Sequence, residues 1–225
     1  MEAYPVMREE ILQAVRSSRV IAIVRGVRQA DVLPLAEALF EGGIRLMEVT
    51  YAHTAQDSYD ETDASIAALR KAFAGRVFVG AGTVISQETL DRAARAGAEF
   101  IVSPDTNPAL IRDTREKGLV SIPGALTPTE IVRAWDLGAD LVKLFPADAM
   151  GLKYIQSLQM PLGHIPLLAA SGMRPEVIPD YLRAGVSVVA VSSSILQKAL
   201  LAREDYDGIR GAAQAHIDAV KSVRL

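Results

Sequence analysis

Two ionisable residues stand inside apolar runs: Lys143 in Asp140-Leu141-Val142-Lys143-Leu144-Phe145, and Glu48 in Leu46-Met47-Glu48-Val49. Burial disfavours the charged form, so it lowers the pKa of a lysine and raises that of a glutamic acid. An unprotonated amine attacks carbonyl carbon, and a carboxylic acid with a raised pKa moves protons near neutral pH. Together the two side chains could run Schiff-base chemistry. Two plainer readings stand beside this one: Lys143 snorkels past a strand end to solvent, or it forms a structural ion pair with Glu48.

Such a pair needs elements that aim both groups at one place. Short apolar runs alternate with stretches of helical spacing, and the alternation repeats eight times. Strands are expected over residues 20–25, 45–50, 77–82, 99–102, 119–122, 140–144, 166–170 and 186–192. Six of the intervening helices should end on a left-handed glycine, at Gly43, Gly75, Gly97, Gly118, Gly138 and Gly185. Strict alternation of apolar strands and helices predicts βαβ units and a parallel sheet covered on both faces. Eight units in 225 residues close into an α/β fold, a (β/α)8 TIM barrel, written as one domain over 1–225. An extra N-terminal helix over 2–16 would cap its lower end, and a helix over 206–223 would complete the outer ring. An open doubly wound sheet would show Gly-x-Gly-x-x-Gly after the first strand, where this chain has Arg25-Gly26-Val27-Arg28-Gln29-Ala30. The polar loop 51–60 has the length of a loop over an active site.

A barrel places its chemistry at the C-terminal ends of the strands. Those ends deliver Arg25, Glu48, Thr83, Ser103-Pro104, Lys143 with Phe145-Pro146, Ser171-Gly172 and Ser192-Ser193-Ser194. Arg25 could hold a substrate carboxylate in a two-pronged contact or form a rim salt bridge. Thr83 follows Gly80-Ala81-Gly82, small residues that permit close backbone approach, and its hydroxyl could meet the same carboxylate. Ser171, Gly172, Ser193 and Ser194 follow the last two strands, where barrels often bind phosphate, and Pro175 suggests a helix start there.

Composition excludes several classes. Fifty per cent hydrophobic residues supply a core, and a net charge of -3 without a basic cluster argues against nucleic acid or an anionic membrane as partner. No cysteine is present, which removes disulfides and thiol nucleophiles. His53, His164 and His216 lack ligand spacing and read as surface or turn residues, so no metal is expected. The N-terminus lacks a signal-peptide core and no run could span a membrane, so a cytoplasmic protein acting on small molecules is expected.

The motifs Ile21-Ala22-Ile23-Val24-Arg25-Gly26, Met47-Glu48-Val49-Thr50, Val79-Gly80-Ala81-Gly82-Thr83-Val84, Val102-Ser103-Pro104 and Val142-Lys143-Leu144-Phe145-Pro146-Ala147 resemble, in order, those of the 2-keto-3-deoxy-6-phosphogluconate and 4-hydroxy-2-oxoglutarate aldolases. The resemblance implies a class I aldolase that cleaves a 2-keto-3-deoxy sugar acid or 4-hydroxy-2-oxoacid to pyruvate and an aldehyde such as glyceraldehyde 3-phosphate or glyoxylate. It implies a (β/α)8 homotrimer that needs no cofactor beyond the covalent intermediate on its own lysine. By position, Lys143 matches the Schiff-base lysine and Glu48 the general acid/base. Thr83 matches a carboxylate contact, Pro104 and Phe145 shape the pocket, and Arg25 matches an arginine of the galactonate-type branch. The chain departs where gluconate-type enzymes carry Leu-Arg-Thr: it has Tyr51-Ala52-His53, so one carboxylate-binding arginine is missing. It departs again at the phosphate positions, with Ala170-Ser171-Gly172 and Ser192-Ser193-Ser194 in place of glycine-rich turns. An imine-free barrel isomerase or decarboxylase and a non-catalytic ligand-binding barrel remain as alternatives.

Overall fold

The computed structural model describes residues 3–53 and 57–223, with the side chains of 3–7, 57 and 58 left aside. Helix α1 (Ala3–Ser18) is followed by β1 (Val20–Val24), α2 (Val32–Glu41), β2 (Leu46–Thr50), α3 (Asp57–Ala72), β3 (Phe78–Gly82), α4 (Gln87–Ala96) and β4 (Phe100–Val102). The chain continues through α5 (Pro108–Glu116), β5 (Val120–Ile122), β6 (Gly124–Ala125), α6 (Pro128–Asp136), β7 (Val142–Leu144), α7 (Ala147–Leu162), β8 (Leu167–Ala170), α8 (Ile178–Arg183), β9 (Val188–Val191), α9 (Lys198–Leu201) and α10 (Tyr206–Lys221). Among the described residues, no helix is long and apolar enough to cross a membrane.

All ladders are parallel, in the order β5-β4-β3-β2-β1-β9-β8-β7-β6. Nine strands appear where eight were expected, because the fifth is cut at Pro123. Proline has no N–H to give a ladder, so β5 pairs with β4 and β6 with β7. The gap is bridged: Asp140 N–H donates to the Ser121 carbonyl and Lys143 N–H to the Pro123 carbonyl, both at 2.8 Å. These bonds bring β7 and the residues before it against the end of β5 and close the barrel.

Side chains alternate between lumen and outer ring because successive residues of a strand face opposite ways. Ile21, Ile23, Leu46, Phe100, Val102, Val120, Ile122, Leu141, Leu168, Ala170, Val188 and Ala190 fill the interior. Val20, Ala22, Val24, Met47, Val49, Val79, Ala81, Val142, Leu144 and Ala169 pack under the helices. Parity therefore decides the site: Glu48 lies two residues from Leu46, and Lys143 two from Leu141, so both point inward. Helix α1 seals the lower end by adding Ile11 and Val15 to the interior cluster, and Arg8 and Arg115 clamp the buried Asp140 there. The carboxylate of Asp140 also accepts from Ser121 N–H at 2.8 Å, so its charge is paired and hydrogen-bonded.

All six glycines expected to end helices have positive φ, between 72° and 107°. Three expectations change. Residues 57–60 belong to the first turn of α3 rather than to a long loop, and 54–56 lie outside the described residues. Pro175 does not begin a helix: it sits in a turn whose Arg174 carbonyl accepts from Val177 and Ile178, and α8 starts at Ile178. His216 is buried on α10, not at the surface.

Candidate active site

One cavity of about 670 Å³ opens at the C-terminal ends of the strands. Every residue expected in the site lines it except Glu48: Arg25, Thr83, Pro104, Lys143, Phe145, Ser171, Gly172, Ser193 and Ser194. Lys143, 5% exposed, faces the cavity with its Nζ 5.2 Å from the centre of the Phe145 ring. The Phe145–Pro146 peptide is cis. Sequence reading missed Ile23, Arg174 and Ala190 as lining residues, while Ala170, Met173 and Ser192 line the cavity as part of the turns expected after the last two strands. Inward parity would have found Ile23 and Ala190, since Ile23 pairs directly with Glu48 across β1 and β2.

Glu48 sits deeper, 1% exposed, and neither carboxylate oxygen has a hydrogen-bond partner. The structural ion pair with Lys143 is not formed. Burial pushes the Glu48 carboxyl above its ordinary value, and the positive charges of Lys143 and Arg25 pull partly the other way. An unpartnered buried carboxyl next to a lysine is costly to the fold, and such groups cluster at functional sites.

Gly82 makes the space for that carboxyl. A Cβ on Gly82 would lie 1.9 Å from Glu48 Oε1, and one on Gly80 would lie 2.2 Å from the Phe100 ring. The small residues noted before Thr83 thus admit side chains from β2 and β4. Gly82→Ala is expected to push Glu48 off its position and to cut turnover by about 100-fold, the scale of a misplacement near 1 Å. Melting and steady-state kinetics check it: a soluble, folded variant with near-normal turnover contradicts this role for Gly82.

Arg25 makes no rim salt bridge among the described residues: its guanidinium donates to Thr83 Oγ1 at 3.3 Å and is exposed at the cavity. Thr83 holds a left-handed backbone, φ 57°, which a β-branched residue rarely adopts. Ser171 does likewise at φ 88°. On the far wall, Ser194 Oγ is already engaged, 2.7 Å from the Met173 carbonyl and 2.9 Å from His216 Nε2, while His216 Nδ1 lies 2.7 Å from the Ala212 carbonyl. Burial lowers the His216 pKa. Among the residues of that wall, Arg174 is an exposed cation.

A closed parallel barrel with a buried lysine at the C-terminal cavity, a buried acid in the lumen and Arg25 beside Thr83 has the layout of a barrel enzyme. The family model for KDPG and KHG aldolase matches residues 11–212, and the chain belongs to that family. It is 32% identical over 211 residues to the 2-dehydro-3-deoxy-phosphogluconate aldolase of Treponema pallidum (strain Nichols), covering 93% of this chain and 97% of the relative. A native KDPGal structure superposes with a TM-score of 0.81 at 28% identity, over 90% of this chain and 94% of that one. The KDPG aldolase of Legionella pneumophila, solved with pyruvate captured as a covalent carbinolamine, superposes with a TM-score of 0.80 at 26% identity, over 90% and 95% of the two chains.

Proposed function

We propose that the protein is a class I aldolase in which Lys143 is the Schiff-base nucleophile and Glu48 the acid/base. It reversibly cleaves a 2-keto-3-deoxy (phospho)sugar acid or 4-hydroxy-2-oxoacid into pyruvate and an aldehyde. The observation that carries the proposal is the buried, unpartnered Glu48 carboxyl within electrostatic reach of Lys143, which lines a cavity shared with Arg25 and Thr83.

The unprotonated Lys143 amine attacks C2 of the keto acid, and protonated Glu48 supplies the proton that turns the C2 oxygen into a hydroxyl. Loss of that hydroxyl as water leaves a protonated imine, the electron sink. Glu48, now a carboxylate, takes the C4 hydroxyl proton, directly or through one water. The C3–C4 bond breaks, its electrons enter the imine, and the aldehyde departs. Glu48 returns the proton to C3 of the enamine, and hydrolysis frees pyruvate and the amine. Arg25 and Thr83 hold the carboxylate, with Pro104 and Phe145 walling the reacting carbons and Ser171, Gly172, Ser193 and Ser194 facing the distal group. The residues require no metal or further cofactor for these steps. The homotrimer, the cytoplasmic location and the single domain over 1–225 belong to the same proposal, the first on the resemblance and the others on composition and pattern.

Pyruvate release, read with a coupled lactate dehydrogenase assay, tests the function on a panel of 2-keto-3-deoxy-6-phospho acids and 4-hydroxy-2-oxoglutarate. At least one should be cleaved; failure with the whole panel contradicts the proposal.

A further inference from the structure

His53 and Tyr59 form a short relay onto the strained residue of the carboxylate corner. His53 Nε2 lies 2.8 Å from the Thr83 carbonyl oxygen, and Tyr59 Oη lies 2.7 Å from His53 Nδ1. A carbonyl only accepts, so Nε2 carries the proton; in the neutral imidazole Nδ1 then accepts and the tyrosine hydroxyl donates to it. The tautomer follows from the network. The rings of His53 and Tyr59 also meet edge to face, with centroids 5.6 Å apart, and Tyr59 packs likewise on the buried Tyr51 at 5.4 Å. Tyr51 is itself anchored by donating to Asp63 at 2.6 Å.

The end of this relay is a backbone that would not hold itself. Thr83 at φ 57° is β-branched, so its left-handed conformation persists only while neighbours impose it. Its carbonyl is held by His53 from one side and its hydroxyl by Arg25 from the other. The two bonds thus grip Thr83 from both sides where it meets the cavity beside Arg25. His53 itself does not line that cavity. This arrangement occupies the Tyr51-Ala52-His53 segment, where the arginine of gluconate-type enzymes is missing.

We propose that His53, oriented by Tyr59, is a positioning residue that locks Thr83 in its left-handed conformation and thereby builds the binding corner for the keto-acid carboxylate. It acts through Thr83 and touches neither substrate nor the reacting atoms. The proposal rests on the aldolase reading, because it assigns the carboxylate to that corner.

The test is enzyme-dependent exchange of the pyruvate methyl protons with deuterium oxide, followed by NMR over a range of pyruvate concentrations. Enamine formation drives this exchange without any aldehyde, so it isolates the carboxylate half of the substrate. His53→Ala should raise KM for pyruvate by roughly 3- to 30-fold, the consequence of losing one hydrogen bond on a strained peptide, while kcat falls no more than about 3-fold. His53→Gln, whose amide N–H can reach the same carbonyl, should restore most of the affinity, and Tyr59→Phe should fall between wild type and His53→Ala. A merely structural role would not give this split or this rescue. An unchanged KM in His53→Ala, or a glutamine variant as weak as the alanine one, overturns the proposal while wild-type exchange stands. A wild-type protein that exchanges no methyl protons overturns the aldolase reading and this proposal together.

Discussion

Replacing Lys143 with alanine is expected to lower turnover by roughly 10⁵- to 10⁶-fold, the loss seen when a covalent nucleophile is removed from a catalytic unit. Among the described residues, Lys143 is the one lining the cavity whose side chain can become an imine, so no neighbour there can supply the electron sink. Serine hydroxyls on the far wall add to carbonyls but cannot delocalise the electrons of a breaking C3–C4 bond. Alanine also leaves a void, so Lys143→Met is the better-matched variant: it keeps most of the volume in a lumen lined by Leu141, Leu168 and Ala170. Both variants should fold, and both should be equally inactive in the pyruvate-release assay. A methionine variant that retains even one-hundredth of wild-type turnover would show that catalysis does not pass through the amine.

Glu48→Gln is the second large effect. It keeps the shape of a side chain that Gly82 has been hollowed out to receive, and removes only the proton transfer. Turnover should fall by about 100- to 10,000-fold, with pyruvate still reaching Lys143. The same variant carries a stability signature. Burial raises the Glu48 pKa from its ordinary 4.5, so the folded protein binds more protons than the unfolded chain between that value and the raised one. Folding therefore loses stability as pH rises through this window, because the buried carboxylic acid must become a buried carboxylate. Below the ordinary value the penalty is absent. Glutamine does not titrate, so the variant should gain melting temperature relative to wild type as pH rises, with the difference smallest at the acid end. Parallel melting curves for the two proteins across pH 4 to 9 would contradict the placement of an ionisable Glu48 in a buried lumen.

Much of the barrel was legible because its signal is local. Apolar runs of strand length and glycines at helix ends both report on short-range preferences, and Lys143 and Glu48 stand out as charges against that background. Their shared inward direction also follows from strand parity, two residues beyond Leu141 and Leu46. Pro123 lies just past the expected fifth strand, 119–122, and the short ladder resumed by β6 beyond it had no local signal. Other features depend on which strands and loops become neighbours. Gly82 looks like turn chemistry until β2 pairs with β3 and brings the Glu48 carboxyl onto it. His216 looks like a surface residue and His53, which is exposed, looks unengaged, because the partners of each lie elsewhere in sequence: Thr83 for His53, Ser194 for His216. For the same reason the sequence does not show that Ser194, expected at the phosphate positions, spends its hydroxyl on the protein. Pro175 was misplaced by local preference: the turn around it has helical hydrogen bonds but becomes a regular helix only at Ile178.

The decisive measurement is reduction with sodium borohydride in the presence of pyruvate, followed by intact mass and peptide mapping. A single pyruvyl adduct on the peptide containing Lys143, absent without pyruvate and absent in Lys143→Met, is the expected result. No adduct, or an adduct on a lysine outside the barrel lumen, would contradict imine chemistry at this site and leave the cavity to an imine-free reaction or to binding alone.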